Sequence, residues 1–143
     1  MTGGCNEGDE GDGQVKLPSA KDEDILVADE LAKLSHMITI TVFQVPNCKL
    51  IFPSDPEQKR RAEDAILAWA WKEYHEDSTN FEWLPRMPMA KAAFQSMRAA
   101  QDFVNNKLKV AEVDNWIVAG ASKRGWTTWM TGVTECSNCV NIA

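Results

Sequence analysis

The sequence is short of basic residues and of long apolar runs, and each shortage argues against a class of protein. Lys and Arg number 15 against 21 Asp and Glu, so the net charge is −6. A face that binds nucleic acid or an anionic membrane needs the opposite balance. No apolar run approaches the ~20 residues that span a bilayer. The sequence therefore predicts no nucleic-acid partner and no membrane span.

The chain also begins without the features of a signal peptide. Met1 leads into acidic, glycine-rich sequence through Gly13, with no basic start and no apolar middle. We predict that residues 1–17 form a Gly- and acid-rich loop or tail and that residues 18–143 form one domain. On this evidence the chain is either cytosolic or has a true N-terminus further upstream.

Cysteine is too sparse for a zinc site. Cys136 and Cys139 form a C-x-x-C, but a second cysteine pair is missing, and zinc would need two more ligands. A redox C-x-x-C would be expected at the start of a helix after a strand, whereas this one follows a predicted helix. The sequence predicts no cofactor, and it leaves a disulfide and free buried thiols open.

Hydrophobic periodicity predicts an alternation of helices and strands. The predicted helices run from Ser19 to Leu34, from Pro56 to about Glu76, from Met89 to about Lys107, and from the turn at Ser122 to about Val133. The predicted strands cover residues 37–45 and 115–119. This order indicates an α/β fold with parallel strands and helices on both faces. Five of the six tryptophans are predicted to be core, with Trp83 left open.

The hexapeptide of residues 120–125, Gly-Ala-Ser-Lys-Arg-Gly, lies between the second strand and the fourth helix. A strand, a tight turn with a serine between small residues, and then a helix is typical of a nucleophile elbow over residues 115–133. Small residues let the backbone turn sharply and hold the serine in a strained conformation. Ser122 is therefore the candidate nucleophile for acyl transfer.

Such a nucleophile needs an oxyanion hole and a base. The backbone N–H of Lys123 is the expected first oxyanion donor, and Gly4 is a possible second, although the glycines near Gly4 could merely turn the chain. In serine hydrolases of this type, an acid and then a histidine follow the serine. Here both histidines precede Ser122, so the chain alone is not expected to be an active hydrolase.

Lys123 and Arg124 lie in the first turn of the predicted helix, where positive charge opposes the helix dipole. This placement indicates a partner for Arg124, either a substrate carboxylate or a buried acid. We hypothesise a structural pair of Arg124 with Glu63 or Asp64. The alternative is that both cations are simply solvated.

Six segments carry a resemblance to one known family. They are Thr2–Gly4, Asp24–Ala32, Phe43–Asn47, Arg61–Ala68, Pro88–Ala93 and Val118–Trp129. The last is long and specific, and the others occur in the family's order. On these residues the sequence resembles the PhoPQ-activated pathogenicity-related family, which includes autocrine proliferation repressors.

The resemblance implies an α/β-hydrolase-like fold in a protein that is usually secreted. It also implies a longer parent, of which this chain would be a fragment truncated at both ends. In a secreted protein, a structural disulfide within the Cys136–Cys139 pair, or from it to Cys5 or Cys48, becomes the favoured interpretation. The expected partner is an unknown substrate or a cell-surface receptor. The parent is either a serine hydrolase or a non-catalytic extracellular signalling protein on a hydrolase scaffold.

Overall fold

The computed structural model describes residues 1–2 and 18–134, together with the backbone of residues 139–142. Four α-helices dominate these residues: α1 (Glu23–Ser35), α2 (Glu63–Glu76), α3 (Arg86–Asp102) and α4 (Lys123–Thr134). A 3₁₀ turn (Phe81–Trp83) precedes α3, and a π-helical turn (Phe103–Leu108) follows it. Strand β1 (Trp116–Val118) precedes α4, and β2 (Cys139–Ile142) comes after it.

The predicted α/β fold was wrong. The described residues are mainly helical, and their only strands are β1 and β2, which pair in parallel with a register irregularity after Trp116. Two strands of three and four residues do not form a sheet with helices on both faces. Helix–helix contact, chiefly between α3 and α4, takes the place of the expected sheet.

Residues 37–45 were predicted as a strand and form none. The β-branched residues favour an extended backbone, but a strand also needs a neighbour that supplies backbone hydrogen bonds. Within the described part of the chain, the backbone partner is Thr2, whose N–H donates to the Val42 carbonyl at 2.9 Å and whose carbonyl accepts from the Val45 N–H at 3.2 Å. This pairing is too short to make a strand.

Two predicted helix starts were also too early. Ser19 donates its N–H to the Asp22 carboxylate at 2.7 Å, but α1 begins only at Glu23. Pro56 lies in a turn before α2, because the buried Asp55 carboxylate accepts hydrogen bonds from the backbone N–H groups of Glu57 and Lys59 and from the Arg61 side chain. A carboxylate that accepts hydrogen bonds from nearby backbone N–H groups holds them outside a helix and so competes with helix formation.

The core lies where α2, α3 and the residues before Pro46 meet. Val45, Leu67 and Met89 form a buried apolar cluster, against which Met1 and Val42 pack. The buried face of α4 is instead made of threonines, Thr127, Thr128 and Thr131, each fully buried. Each of these hydroxyls donates to the carbonyl four residues earlier, so no polar group on that face is left without a partner.

The tryptophan prediction was partly wrong. Trp69 is buried, but Trp126 and Trp129 are 52% and 64% exposed on α4, and Trp71 is also exposed. The exposed side of α4 is thus more apolar than its buried side. In the described part of the chain, no helix combines the length and the apolar character that crossing a bilayer requires.

Candidate functional site

Ser122 lies in the turn between β1 and α4 and has a left-handed backbone, with φ of 54°. A left-handed backbone is uncommon for any residue other than glycine and persists only where the surrounding structure holds it. Its side chain is exposed. The turn is closed by backbone hydrogen bonds from the Arg124 N–H to the Ala121 carbonyl at 2.9 Å and from the Trp126 N–H to the Ser122 carbonyl at 3.2 Å.

The two glycines of the hexapeptide allow a close approach within this turn. A Cβ added at Gly120 would lie 2.7 Å from the Arg124 carbonyl oxygen and 2.8 Å from its Cβ. A Cβ added at Gly125 would lie 2.9 Å from the Gly120 carbonyl oxygen. Any side chain at either position would therefore force the end of β1 and the start of α4 apart.

An ionic cluster lies beside the turn and joins α4 to the start of α2. One guanidinium nitrogen of Arg124 lies 2.5 and 2.6 Å from the two carboxylate oxygens of Glu63. The Lys123 ammonium lies 2.9 Å from Glu63 and 3.1 Å from Asp64. The pairing of Arg124 with Glu63 confirms one of the two partners predicted from the sequence, and Asp64 pairs with Lys123 instead.

The cluster holds Glu63 and Lys123 in their charged forms. Burial opposes ionisation of Glu63, but hydrogen bonds from Arg124 and Lys123 outweigh it and lower the pKa of the carboxyl. Burial likewise opposes the charge on Lys123, whereas hydrogen bonds to Glu63 and Asp64 raise the pKa of its ammonium. At neutral pH Glu63 and Lys123 are therefore charged and paired.

Two further contacts at the site were missed by the sequence reasoning. The Arg124 Nε–H donates to the Val45 carbonyl at 2.8 Å, and a backbone acceptor 79 residues away leaves no signal in the sequence. The Arg86 guanidinium stacks on the Trp126 ring, 3.3 Å from the ring centroid. The arginine at the start of α3 and the tryptophan after the hexapeptide could have suggested this contact, since arginine commonly stacks on tryptophan.

Comparison with known proteins places the chain in a family. Residues 5–140 match the PhoPQ-activated pathogenicity-related protein family. The chain is also 36% identical, over 120 residues, to autocrine proliferation repressor protein A of Dictyostelium discoideum; the match covers 84% of this chain and 23% of that relative. The chain belongs to the PhoPQ-activated pathogenicity-related family. No solved structure matches it.

This member of the PhoPQ-related family does not show all of the predicted site residues. Gly4 and Cys136 lie outside the described residues, and for Cys139 only the backbone is described, as the first residue of β2. The oxyanion role of Gly4 and the disulfide therefore stay predictions. His36 ends α1 and His75 lies in the last turn of α2. Hydrogen bonds among the described residues join neither histidine to Ser122.

The charged side chains around the turn of this family member are already paired with one another. No group of three or more His, Cys, Asp or Glu side chains among them is arranged to hold a metal ion. Two acids lie beside the turn and are ion-paired: Glu63 pairs with Lys123 and Arg124, and Asp64 pairs with Lys123. What this arrangement offers chemically is an exposed hydroxyl on a strained turn beside a neutralised cluster of charges.

Proposed function

We propose that Ser122 is the nucleophile of a serine acyl-transfer site in the natural protein. The observation that carries the proposal is its left-handed backbone at an exposed turn between β1 and α4, with glycines in close approach on both sides. This local geometry presents a hydroxyl to a substrate carbonyl and keeps the rest of the chain clear of it. The proposal concerns the turn, and it does not depend on a parallel sheet.

The start of α4 supports stabilisation of the developing oxyanion. Lys123 is the first residue of α4, and the first N–H groups of a helix have no acceptor within the helix. Its backbone N–H can therefore donate to an oxyanion, assisted by the partial positive charge at the helix N-terminus. Because Glu63 and Asp64 hold the Lys123 side chain, we assign the donor role to its backbone alone.

Activation of Ser122 requires a base that the described residues do not bring to it. The chain spans 23% of the length of autocrine proliferation repressor protein A, so the complete site is a proposal about the protein in its full natural length. We expect the general base to be a histidine oriented by an acid, as in other serine hydrolases.

A fluorophosphonate probe tests the nucleophile directly, because an activated serine forms a covalent bond with it. We expect the protein in its full natural length to be labelled at Ser122 and Ser122→Ala to lose the label. Ser96→Ala is the matched control, since Ser96 donates its hydroxyl to the Ala92 carbonyl within α3. Peptide mapping by mass spectrometry gives the readout. A wild-type protein that resists the probe would contradict the proposal.

The name of the relative, autocrine proliferation repressor protein A, favours a second function, repression of cell proliferation. We infer this alternative because a scaffold does not fix an activity. Purified protein added to proliferating cells distinguishes the two functions. If Ser122→Ala represses proliferation as well as the wild type does, the signalling function stands without the hydrolase. If repression is lost together with labelling, catalysis carries it.

A further inference from the structure

Three left-handed residues lie in segments that one residue, Arg124, contacts. Six non-glycine residues in the described part of the chain have a positive φ, and three of them are Gln44 at 60°, Glu63 at 54° and Ser122 at 54°. Gln44 precedes Val45, whose carbonyl accepts from Arg124, and Glu63 is the ion-pair partner of Arg124. Ser122 lies two residues before Arg124 in the same turn.

Strained backbone of this kind persists only where neighbouring contacts hold it. Arg124 supplies such a contact to each of the three segments. Its Nε binds the segment before Pro46, its terminal nitrogen binds the start of α2, and its backbone N–H closes the Ser122 turn on Ala121. The Arg124 side chain is only 12% exposed, so water competes weakly for these hydrogen bonds.

We propose that Arg124 is the positioning residue of the Ser122 turn and that Glu63 fixes its guanidinium in place, an inference that rests on the proposed role of Ser122. Arg124 does not touch the substrate. It acts by setting the backbone from which the Ser122 hydroxyl and the Lys123 N–H project. Arginine suits this task better than lysine because its planar, forked guanidinium can bind a carbonyl and a carboxylate at once.

The test compares the amide hydrogen exchange and the fluorophosphonate labelling of Glu63→Gln with those of the wild type, both in the full natural length of the protein. Glutamine keeps the size of the side chain but loses its charge, so the Arg124 contact weakens. We expect amide hydrogen exchange over residues 120–126 to speed up about tenfold and fluorophosphonate labelling of Ser122 to slow about tenfold, the scale of one lost charge-assisted hydrogen bond. Glu57→Gln is the control, because Glu57 is exposed and lies 3.8 Å from Arg61, away from the turn.

The pH profile separates positioning from a general structural effect. Glu63 is the first residue of α2, and it faces Lys123 and Arg124 from α4. Asp64, the next residue, interacts with Lys123 and with Arg86 from α3. Since these contacts keep Glu63 charged until the pH falls below its usual titration range, the labelling-rate ratio of wild type to Glu63→Gln should stay constant near neutral pH. In acid this rate ratio should approach one, because the Glu63 carboxylate of the wild type becomes protonated.

Each outcome decides something. If wild-type Ser122 is never labelled, the proposed nucleophile fails, and hydrogen exchange at residues 120–126 still decides the positioning role. If Glu63→Gln exchanges and labels like the wild type, the positioning role is overturned. Should Glu63→Gln fail to fold, hydrogen exchange of the wild type between neutral and acid pH replaces it. A turn that stays protected after Glu63 is protonated would then overturn the inference.

Discussion

The Ser122 turn and the segment of residues 38–43 differ in how the molecule holds their backbones. The turn has strained dihedral angles but is fixed by glycine contacts, backbone hydrogen bonds and the Arg124 ion pair. The segment is built from β-branched residues that favour an extended backbone, yet Ile38 and Ile40 remain exposed. It borders an open apolar groove of about 730 Å³ against α3 and the π-helical turn. The segment thus combines a local preference with few partners, whereas the turn combines strain with many.

The largest expected effect tests the core beneath the turn. Met89 is 2% exposed and packs with Val45, whose carbonyl binds Arg124. Met89→Ala should lower the free energy of unfolding by about 2–5 kcal/mol, because it removes buried methylenes and leaves a cavity. Met87→Ala is the control on the same helix, since Met87 is 55% exposed and its loss should change stability by no more than about 0.5 kcal/mol.

Urea denaturation of both methionine variants provides the measurement. Equal destabilisation by Met89→Ala and Met87→Ala would show that the buried cluster of Val45, Leu67 and Met89 does not stabilise the fold around the Ser122 turn.

The next effect concerns the close approach at Gly120. Gly120→Ala places a methyl group 2.7 Å from the Arg124 carbonyl oxygen. Because that atom belongs to the backbone, the turn must shift, and we expect a loss of about 1–3 kcal/mol in thermal or chemical unfolding. Gly132→Ala, inside α4, should instead be neutral or stabilising by up to about 1 kcal/mol, since alanine favours a helix. A stable Gly120→Ala would remove the evidence that the turn is tightly packed.

A smaller effect depends on pH. The pKa of Glu63 is lowered in the folded protein: burial acts in the opposite direction, but hydrogen bonds from Arg124 and Lys123 outweigh it. The stabilisation is therefore complete above the unfolded pKa of about 4.3 and is lost as the pH falls through the lower folded pKa. The Tm difference between wild type and Glu63→Gln should be present at neutral pH and shrink below about pH 4.3. A difference that grows in acid would reverse the sign of this linkage.

The smallest effect is expected in the weakly held segment. Ile40 is exposed, so Ile40→Thr keeps the β-branched shape and removes little buried apolar surface. Stability should change by no more than about 0.5 kcal/mol, measured by the same urea denaturation. A large loss would show that the segment is held far better than its exposure indicates, and the contrast with the Ser122 turn would disappear.

The sequence predicted what depends on local chemistry. Periodic apolar residues predicted helices at α1, α2 and α3, and small residues around Ser122 predicted a sharp turn before α4. The unfavourable charge of Arg124 in a first helical turn led to Glu63 or Asp64 as its partner, because a cation at that end of a helix needs compensation, and the structure shows Glu63. These features need only a few neighbouring residues, or one complementary charge, to be recognised.

The failures share the opposite property, since each depends on distant contacts. A strand at 37–45 needs a neighbouring strand, and the loop at Pro56 is organised by the buried Asp55 carboxylate. The tryptophans were assigned to the core by residue type, whereas α4 buries threonines and exposes Trp126 and Trp129. The acceptor of the Arg124 Nε–H, a main-chain carbonyl, could not be found from any side-chain pattern.

The threonine face of α4 has a mechanical consequence for Ser122. The helices α3 and α4 contact each other, and both bury small side chains: threonines on α4, whose hydroxyls bond back to their own helix, and Ala90 and Ala93 on α3. Ser122 directly precedes α4, and Thr128 is fully buried within that helix. A bulkier residue at Thr128 would therefore shift α4, and the Ser122 hydroxyl would move with the helix although the new side chain does not touch it.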